Sequence, residues 1–130
     1  WGSMADQGAA TFWEEYDPSQ LMESQYGMYD DPYGKSLCHA WAGSPIYLIG
    51  RYYMGVRPLK PGYEEFEVAP RCSSFEELEC TVPVKGGTVV IQYNKNQLKV
   101  TTDRDGGILR VEGKEVKLLK GGTTVLPVTH

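Results

Sequence analysis

The sequence predicts an α+β chain in which a helical segment is followed by an antiparallel β-sandwich of jelly-roll type. Three observations carry this prediction. Apolar residues recur at helical spacing in residues 44–54. From Tyr63 onward the apolar period changes to two, over about seven short segments. Glycine-containing turns separate these segments at regular intervals, as in antiparallel sandwiches.

The helix over residues 44–54 has clear end signals. Ser44 is a suitable N-cap, and Pro45 occupies a first-turn position where its missing N–H costs nothing. Gly55 is predicted to end the helix by adopting the left-handed backbone conformation, and Pro58 prevents the helix from resuming. Before it, residues 1–8 are predicted as the tail of a helix ending at Gly8, and residues 19–34 as a turn-rich loop.

The strands are predicted from alternation and turn residues alone. Segments 63–68 and 78–82 alternate apolar residues with Glu or Thr. The later strands are expected at 88–93, 97–102, 108–111, 115–119 and 123–128. The outward positions carry Lys, Glu and Thr, which is typical of a solvated sheet face. No catalytic arrangement is visible among them.

Composition excludes several classes of function. The net charge is −4 and no basic run occurs, which argues against nucleic-acid binding; no apolar stretch is long enough to cross a membrane. The three cysteines have no zinc-site spacing, and their odd count leaves at least one thiol unpaired. Cys72 and Cys80 could pair across a short loop, but we expect two separate buried thiols. We expect no metal and no cofactor. The compartment is unknown because the chain reads as a piece whose natural N-terminus is missing.

Acidic and aromatic residues are concentrated at the beginning of the chain. Residues 1–34 contain seven carboxylates and no Lys or Arg, and eleven of the fifteen aromatic residues precede Met54. Carboxylates accept hydrogen bonds from sugar hydroxyls, and aromatic rings stack on sugar C–H faces. An exposed acidic loop with ordinary core aromatics explains the same composition equally well.

Several motifs together resemble the C-terminal end of bacterial α-L-rhamnosidases of glycoside hydrolase family 78. They are Ser-Leu-Cys-His-Ala-Trp at 36–41, Ser-Pro-Ile-Tyr-Leu at 44–48, Tyr-x-Met-Gly-Val-Arg-Pro at 52–58 and Lys-Pro-Gly-Tyr at 60–63. The resemblance extends from Trp1 to about Gly87. It implies that residues 1–56 are the C-terminal end of an (α/α)6 barrel and that residues 57–130 are a separate β-sandwich domain.

The resemblance also implies roles for four residues. Gly-Ala-Ala-Thr-Phe-Trp-Glu at 8–14 is similar to the family's general-base motif, with Ala10 where Thr is common. Glu14 would be the general base of an inverting hydrolase that removes terminal α-L-rhamnose or a related deoxysugar. His39 would contact a substrate hydroxyl, and Trp13 and Trp41 would form pocket walls. Residues of these types are also found as loop carboxylates and core aromatics.

The general acid of the family lies upstream of the segment that this chain resembles. We therefore expect the 130-residue chain to be inactive alone, with the missing barrel portion and a carbohydrate substrate as its natural partners. Helix residues with no barrel to cover them would favour self-association. The alternative is a non-catalytic carbohydrate-binding or structural β-sandwich module, in which Glu14 would lie apart from His39.

Overall fold

A computed structural model describes residues 1–128 of the chain. Contacts between residues divide it into two compact units, one formed by residues 1–47 and one that begins at Leu48. The division predicted from the resemblance, with a barrel portion at 1–56 and a sandwich at 57–130, remains a prediction.

The first unit contains little regular structure. Helix α1 spans Gly2–Asp6, and 3₁₀ turns occupy Met22–Tyr26 and Ala40–Gly43. Gly8, with a φ of +82°, follows α1 in the left-handed region that favours glycine, as predicted. The chain closes on itself where the Trp1 Nε1–H donates to the carbonyl of Ala42 at 2.9 Å.

The predicted helix over residues 44–54 is present but built differently. Helix α2 spans Ser44–Leu48, and a π-helical turn continues it over Ile49–Tyr53. Ser44 has helical backbone angles (φ −53°, ψ −29°) because the preceding 3₁₀ turn runs directly into it, so its prediction as an N-cap is wrong. The left-handed end at Gly55 is confirmed by a φ of +63°.

The second unit contains eight strands in two four-stranded sheets. They are β1 (Val56–Pro58), β2 (Phe66–Val68), β3 (Glu77–Val84), β4 (Gly87–Asn94), β5 (Gln97–Thr102), β6 (Gly107–Val111), β7 (Lys114–Lys117) and β8 (Thr123–Pro127). One sheet has the order β1-β2-β6-β7 and the other β3-β4-β5-β8. The predicted α+β class with a β-sandwich is confirmed.

Both sheets contribute to one core, which makes the unit a sandwich. Phe66, Val68 and Leu109 of the first sheet are fully buried in the same cluster as Val89 and Ile91 of the second. Their alternation with outward residues places every second side chain of each strand between the sheets. Met54 and Val56 join this core, so the chain enters the sandwich before residue 57.

Three features of the strands differ from the sequence prediction. Strand β1 was not predicted; it is only three residues long and depends on antiparallel pairing with β2, in the register Val56 to Val68. Tyr63 lies in a 3₁₀ turn with a φ of +57°, so β2 begins at Phe66. Strands β2 and β6 pair in parallel, while every other pairing between the described strands is antiparallel.

Charged groups hold the first sheet together on its outer face. Glu67 of β2 is buried, and its two carboxylate oxygens accept from Arg57 at 2.7 Å and from Arg110 at 3.0 Å. The Arg110 Nε–H donates in turn to Glu115 at 2.8 Å. A carboxylate is tolerated at this depth because both of its oxygens are paired. This explains why all three residues of β2 are buried although Glu67 points away from the core.

Candidate active site

Two segments distant in sequence are paired along the edge of the first unit. The backbone N–H of Glu14 donates to the carbonyl of Ser36 at 2.9 Å, and the N–H of His39 donates to the carbonyl of Phe12 at 2.8 Å. The Thr11 hydroxyl donates to the carbonyl of Leu37 between them. The pairing is antiparallel. It brings Glu14 and His39 close together, although they are far apart in the sequence and no residue pattern predicts their contact.

The Glu14 carboxylate has partners on both oxygens. His39 Nδ1 lies 3.7 Å from Oε2, and the Ser36 backbone N–H donates to the same oxygen at 3.3 Å. The Tyr29 hydroxyl donates to Oε1 at 3.3 Å. The Glu14 side chain is 12% exposed and that of His39 is 25% exposed. Within residues 1–128, no Lys or Arg side chain forms an ion pair with Glu14.

Glu14 lines a shallow concavity of about 470 Å³ with several aromatic rings. Trp41 is 71% exposed, and its ring centroid lies 4.5 Å from that of His39. Trp13 is buried and packs against Tyr16 and Tyr26 with centroid distances of 6.3 and 6.0 Å. The full lining is Trp1, Met4, Trp13, Glu14, Glu15, Tyr16, Trp41 and Ala42. Trp41 therefore offers a free ring face, whereas Trp13 supports the concavity mainly from within the unit.

A second concavity lies next to His39. It measures about 500 Å³. Apart from His39, its lining consists of small or apolar side chains, namely Ala9, Ala10, Thr11, Phe12, Cys38, Ala40 and Gly43. Ala10, which departs from the family motif, contributes to this wall. A molecule bound here would meet an apolar surface with the imidazole at one side.

Sequence reasoning missed Tyr29. Its hydroxyl reaches Glu14 from the turn 28–31, which is closed by paired hydrogen bonds between Met28 and Asp31 at 2.9 and 3.0 Å. Turn residues at 30–34 were visible in the sequence, but no spacing rule connects residue 29 to residue 14. Both the charge of Glu14 and the hydrogen bond to it raise the pKa of the Tyr29 hydroxyl.

The second unit has a cavity of its own, about 500 Å³ in volume, lined by residues that include Cys72, Tyr93 and Arg110. Burial raises the pKa of Cys72 to about 11, which makes its thiol a poor nucleophile at neutral pH. The three cysteines are free thiols, as predicted. Arg110, which also lines this cavity, is paired with Glu67 and Glu115.

Within residues 1–128, no three His, Cys, Asp or Glu side chains are grouped so that they could hold a metal ion. No helix in that range has the length and apolar character needed to cross a bilayer.

No family model matches the sequence, and no curated protein matches it. A solved structure described as "Putative kojibiose phosphorylase from human microbiome" is similar over 82% of this chain, with a TM-score of 0.47 and 10% identity. The chain spans only 14% of the length of that protein.

Proposed function

We propose that Glu14 and His39 belong to the active site of an inverting glycoside hydrolase of the α-L-rhamnosidase type. The observation that carries the proposal is the 3.7 Å approach of His39 Nδ1 to Glu14 Oε2 beside an aromatic-lined concavity. If the chain were instead a non-catalytic module, Glu14 would lie apart from His39 and form surface salt bridges. The motif resemblance at 8–14 and 36–41 supports α-L-rhamnose or a related deoxysugar as the sugar that is removed.

In this proposal Glu14 is the general base. Its carboxylate takes a proton from a water molecule as the water oxygen attacks the anomeric carbon of the sugar. The bond from that carbon to the leaving oxygen breaks, and a carboxylic acid elsewhere in the enzyme protonates the leaving oxygen. Such an acid lies roughly 6.5–9.5 Å from the base in inverting enzymes, which leaves room for the water. It would come from a part of the enzyme outside these 130 residues.

His39 and Trp41 would bind the sugar. The imidazole can donate to or accept from a ring hydroxyl, and the exposed face of Trp41 can stack on the C–H side of the ring. The apolar wall beside His39 suits the methyl group or the aglycone of a deoxysugar glycoside. Binding and catalysis would thus share one edge of the first unit.

A second candidate function is carbohydrate binding without catalysis. The 71% exposure of Trp41 favours it, since a solvent-facing ring is what a surface sugar-binding site presents. In that case the chain would bind L-rhamnose through Trp41, and Glu14 would take no part in a proton transfer.

The test is kinetic and uses the full-length protein that contains this chain, with an aryl α-L-rhamnoside as substrate. Glu14→Gln should lower kcat by about 10²–10⁴, the usual contribution of a positioned acid or base, and should leave substrate affinity nearly unchanged. Glu15→Gln, its neighbour on the chain, is the matched control and should retain activity. NMR should detect β-L-rhamnose as the first product.

Three outcomes would contradict the proposal. Equal losses from the two variants would mean that Glu14 has no special role. A first product with retained anomeric configuration would exclude the inverting mechanism. Binding of rhamnose by the full-length protein without any turnover would favour the non-catalytic function.

A further inference from the structure

The two oxygens of Glu14 are held unequally. Oε2 meets both the Ser36 N–H and the His39 imidazole, whereas the Tyr29 hydroxyl is the hydrogen-bond partner of Oε1 within the described chain. A general base must direct one lone pair at water. The partner of Oε1 therefore has a large influence on the direction in which the free lone pair points.

Tyr29 is held in an unfavourable backbone conformation. Tyr29 and Asp30 have φ values of +54° and +61°, which together form a type I′ turn closed by Met28 and Asp31. This turn strongly favours Asn or Gly at both central positions. The Tyr29 side chain is 80% exposed, so burial of its ring does little to offset the strain. Strained residues of this kind tend to cluster at functional sites.

The Tyr29 hydroxyl is protonated at neutral pH, because the ordinary pKa of a tyrosine is about 10 and the surroundings raise it further. Glu14 raises its pKa by charge and by hydrogen bonding, and Glu15 adds a smaller effect of the same sign. His39 lies on the opposite oxygen of the carboxylate and does not compete for Oε1. The hydroxyl is thus a hydrogen-bond donor to Glu14 throughout the neutral pH range.

We infer that Tyr29 is a positioning residue for Glu14: the strained turn 28–31 presents its hydroxyl to Oε1 and orients the carboxylate toward the attacking water. This role rests on the proposed function of Glu14 as general base. It concerns the same site but a residue to which neither the motifs nor the resemblance assigns a role.

The first experiment tests the contact without any catalysis. The 130-residue chain, carrying ¹³C at the tyrosine Cζ, is titrated by NMR, and Tyr29→Phe identifies the Tyr29 signal. In Glu14→Gln the pKa of Tyr29 should fall toward its ordinary value of about 10, and in Glu15→Gln it should fall less. An identical Tyr29 titration in the native chain and in Glu14→Gln would overturn the inference.

The second experiment tests the consequence in the full-length protein. Tyr29→Phe should lower kcat about tenfold, the effect expected for one hydrogen bond to a charged group, with KM little changed. The matched control is Tyr33→Phe, since Tyr33 is 82% exposed in the same loop and has no hydrogen bond to Glu14 in the described chain. Equal kcat values in the two variants would overturn the positioning role.

A third variant separates positioning from a merely structural role. Asn is favoured at the first central position of a type I′ turn, so Tyr29→Asn should keep or raise the Tm while kcat falls as in Tyr29→Phe. A drop in Tm that accompanies the drop in kcat would assign Tyr29 to folding instead. If Glu14→Gln is fully active but shifts the Tyr29 titration, the contact stands and the proposed function fails.

Discussion

Gly107 of β6 is a position where adding one methyl group should damage the sandwich. A Cβ at this residue would lie 2.8 Å from Cζ and 3.0 Å from Cε2 of the Phe66 ring, and 3.1 Å from Cβ of Leu118. Both neighbours are fully buried or nearly so, and neither can move into solvent. The backbone at Gly107 is not in the left-handed region, so an alanine there causes no backbone strain. The cost of the added Cβ is its steric overlap with these two side chains.

The expected magnitude follows from two opposing effects. Overpacking a close-packed core costs about 1–3 kcal/mol. Replacing Gly by Ala restricts the unfolded chain, which offsets about 0.4–1 kcal/mol of that cost. Gly107→Ala should therefore lower the free energy of unfolding of the sandwich by about 1–2 kcal/mol. The measurement is a urea titration of the chain, followed at the backbone amides of Phe66 and Leu109 by NMR.

A double-mutant cycle tests the cause. Phe66→Leu removes the ring that Gly107→Ala would strike, so the two substitutions together should cost about 1 kcal/mol less than the sum of the single costs. Gly2→Ala is the control, because its Cβ meets nothing within 4 Å, and it should leave these amides unchanged. Additive costs, or a more stable Gly107→Ala variant, would refute the reasoning.

Three further predictions concern single sites. His39→Ala in the full-length protein should raise KM and lower kcat together, because a hydroxyl contact acts in both ground and transition states; normal kinetics with a lowered Tm would indicate a structural histidine instead. Iodoacetamide at pH 8 should alkylate the exposed Cys38 well before Cys72, whose pKa of about 11 leaves little thiolate, and equal labelling by mass spectrometry would contradict this. We also propose that the chain self-associates through its exposed helix residues, among them Ile46 and Tyr47 at 69% and 60% exposure. Light scattering over a concentration series should show growth that Ile46→Lys reduces, and a strict monomer would disprove it.

The local parts of the fold could be predicted from sequence. Strand β5 has the predicted bounds, and β4 differs by one residue at each end, because alternation and turn residues act within a few positions. The turn between them is set by Asn94, whose side-chain oxygen accepts from the N–H groups of Asn96 and Gln97 at 2.9 Å. Such signals lie entirely in neighbouring residues.

The parts that depend on distant partners could not be predicted. Strand β1 is too short to show an alternation of apolar and polar residues, and it forms because β2 pairs with it. Glu14 and His39 were linked by resemblance to a family, since the hydrogen bonds that join their segments leave no mark in residue spacing. No sequence pattern pointed to Tyr29. For Trp13, the sequence could not distinguish a buried core residue from a residue that forms a pocket wall.

The parallel pairing of β2 with β6 has a consequence for the order of assembly. The whole of β3, β4 and β5 lies between these two neighbours in the sequence, whereas β3–β4 and β4–β5 are joined by tight turns. Joining the ends of a long flexible segment costs entropy, and a segment already folded into hairpins presents a much shorter effective loop. We therefore expect β2 and β6 to pair only after β3, β4 and β5 have formed, when less flexible chain separates residues 66–68 from residues 107–109.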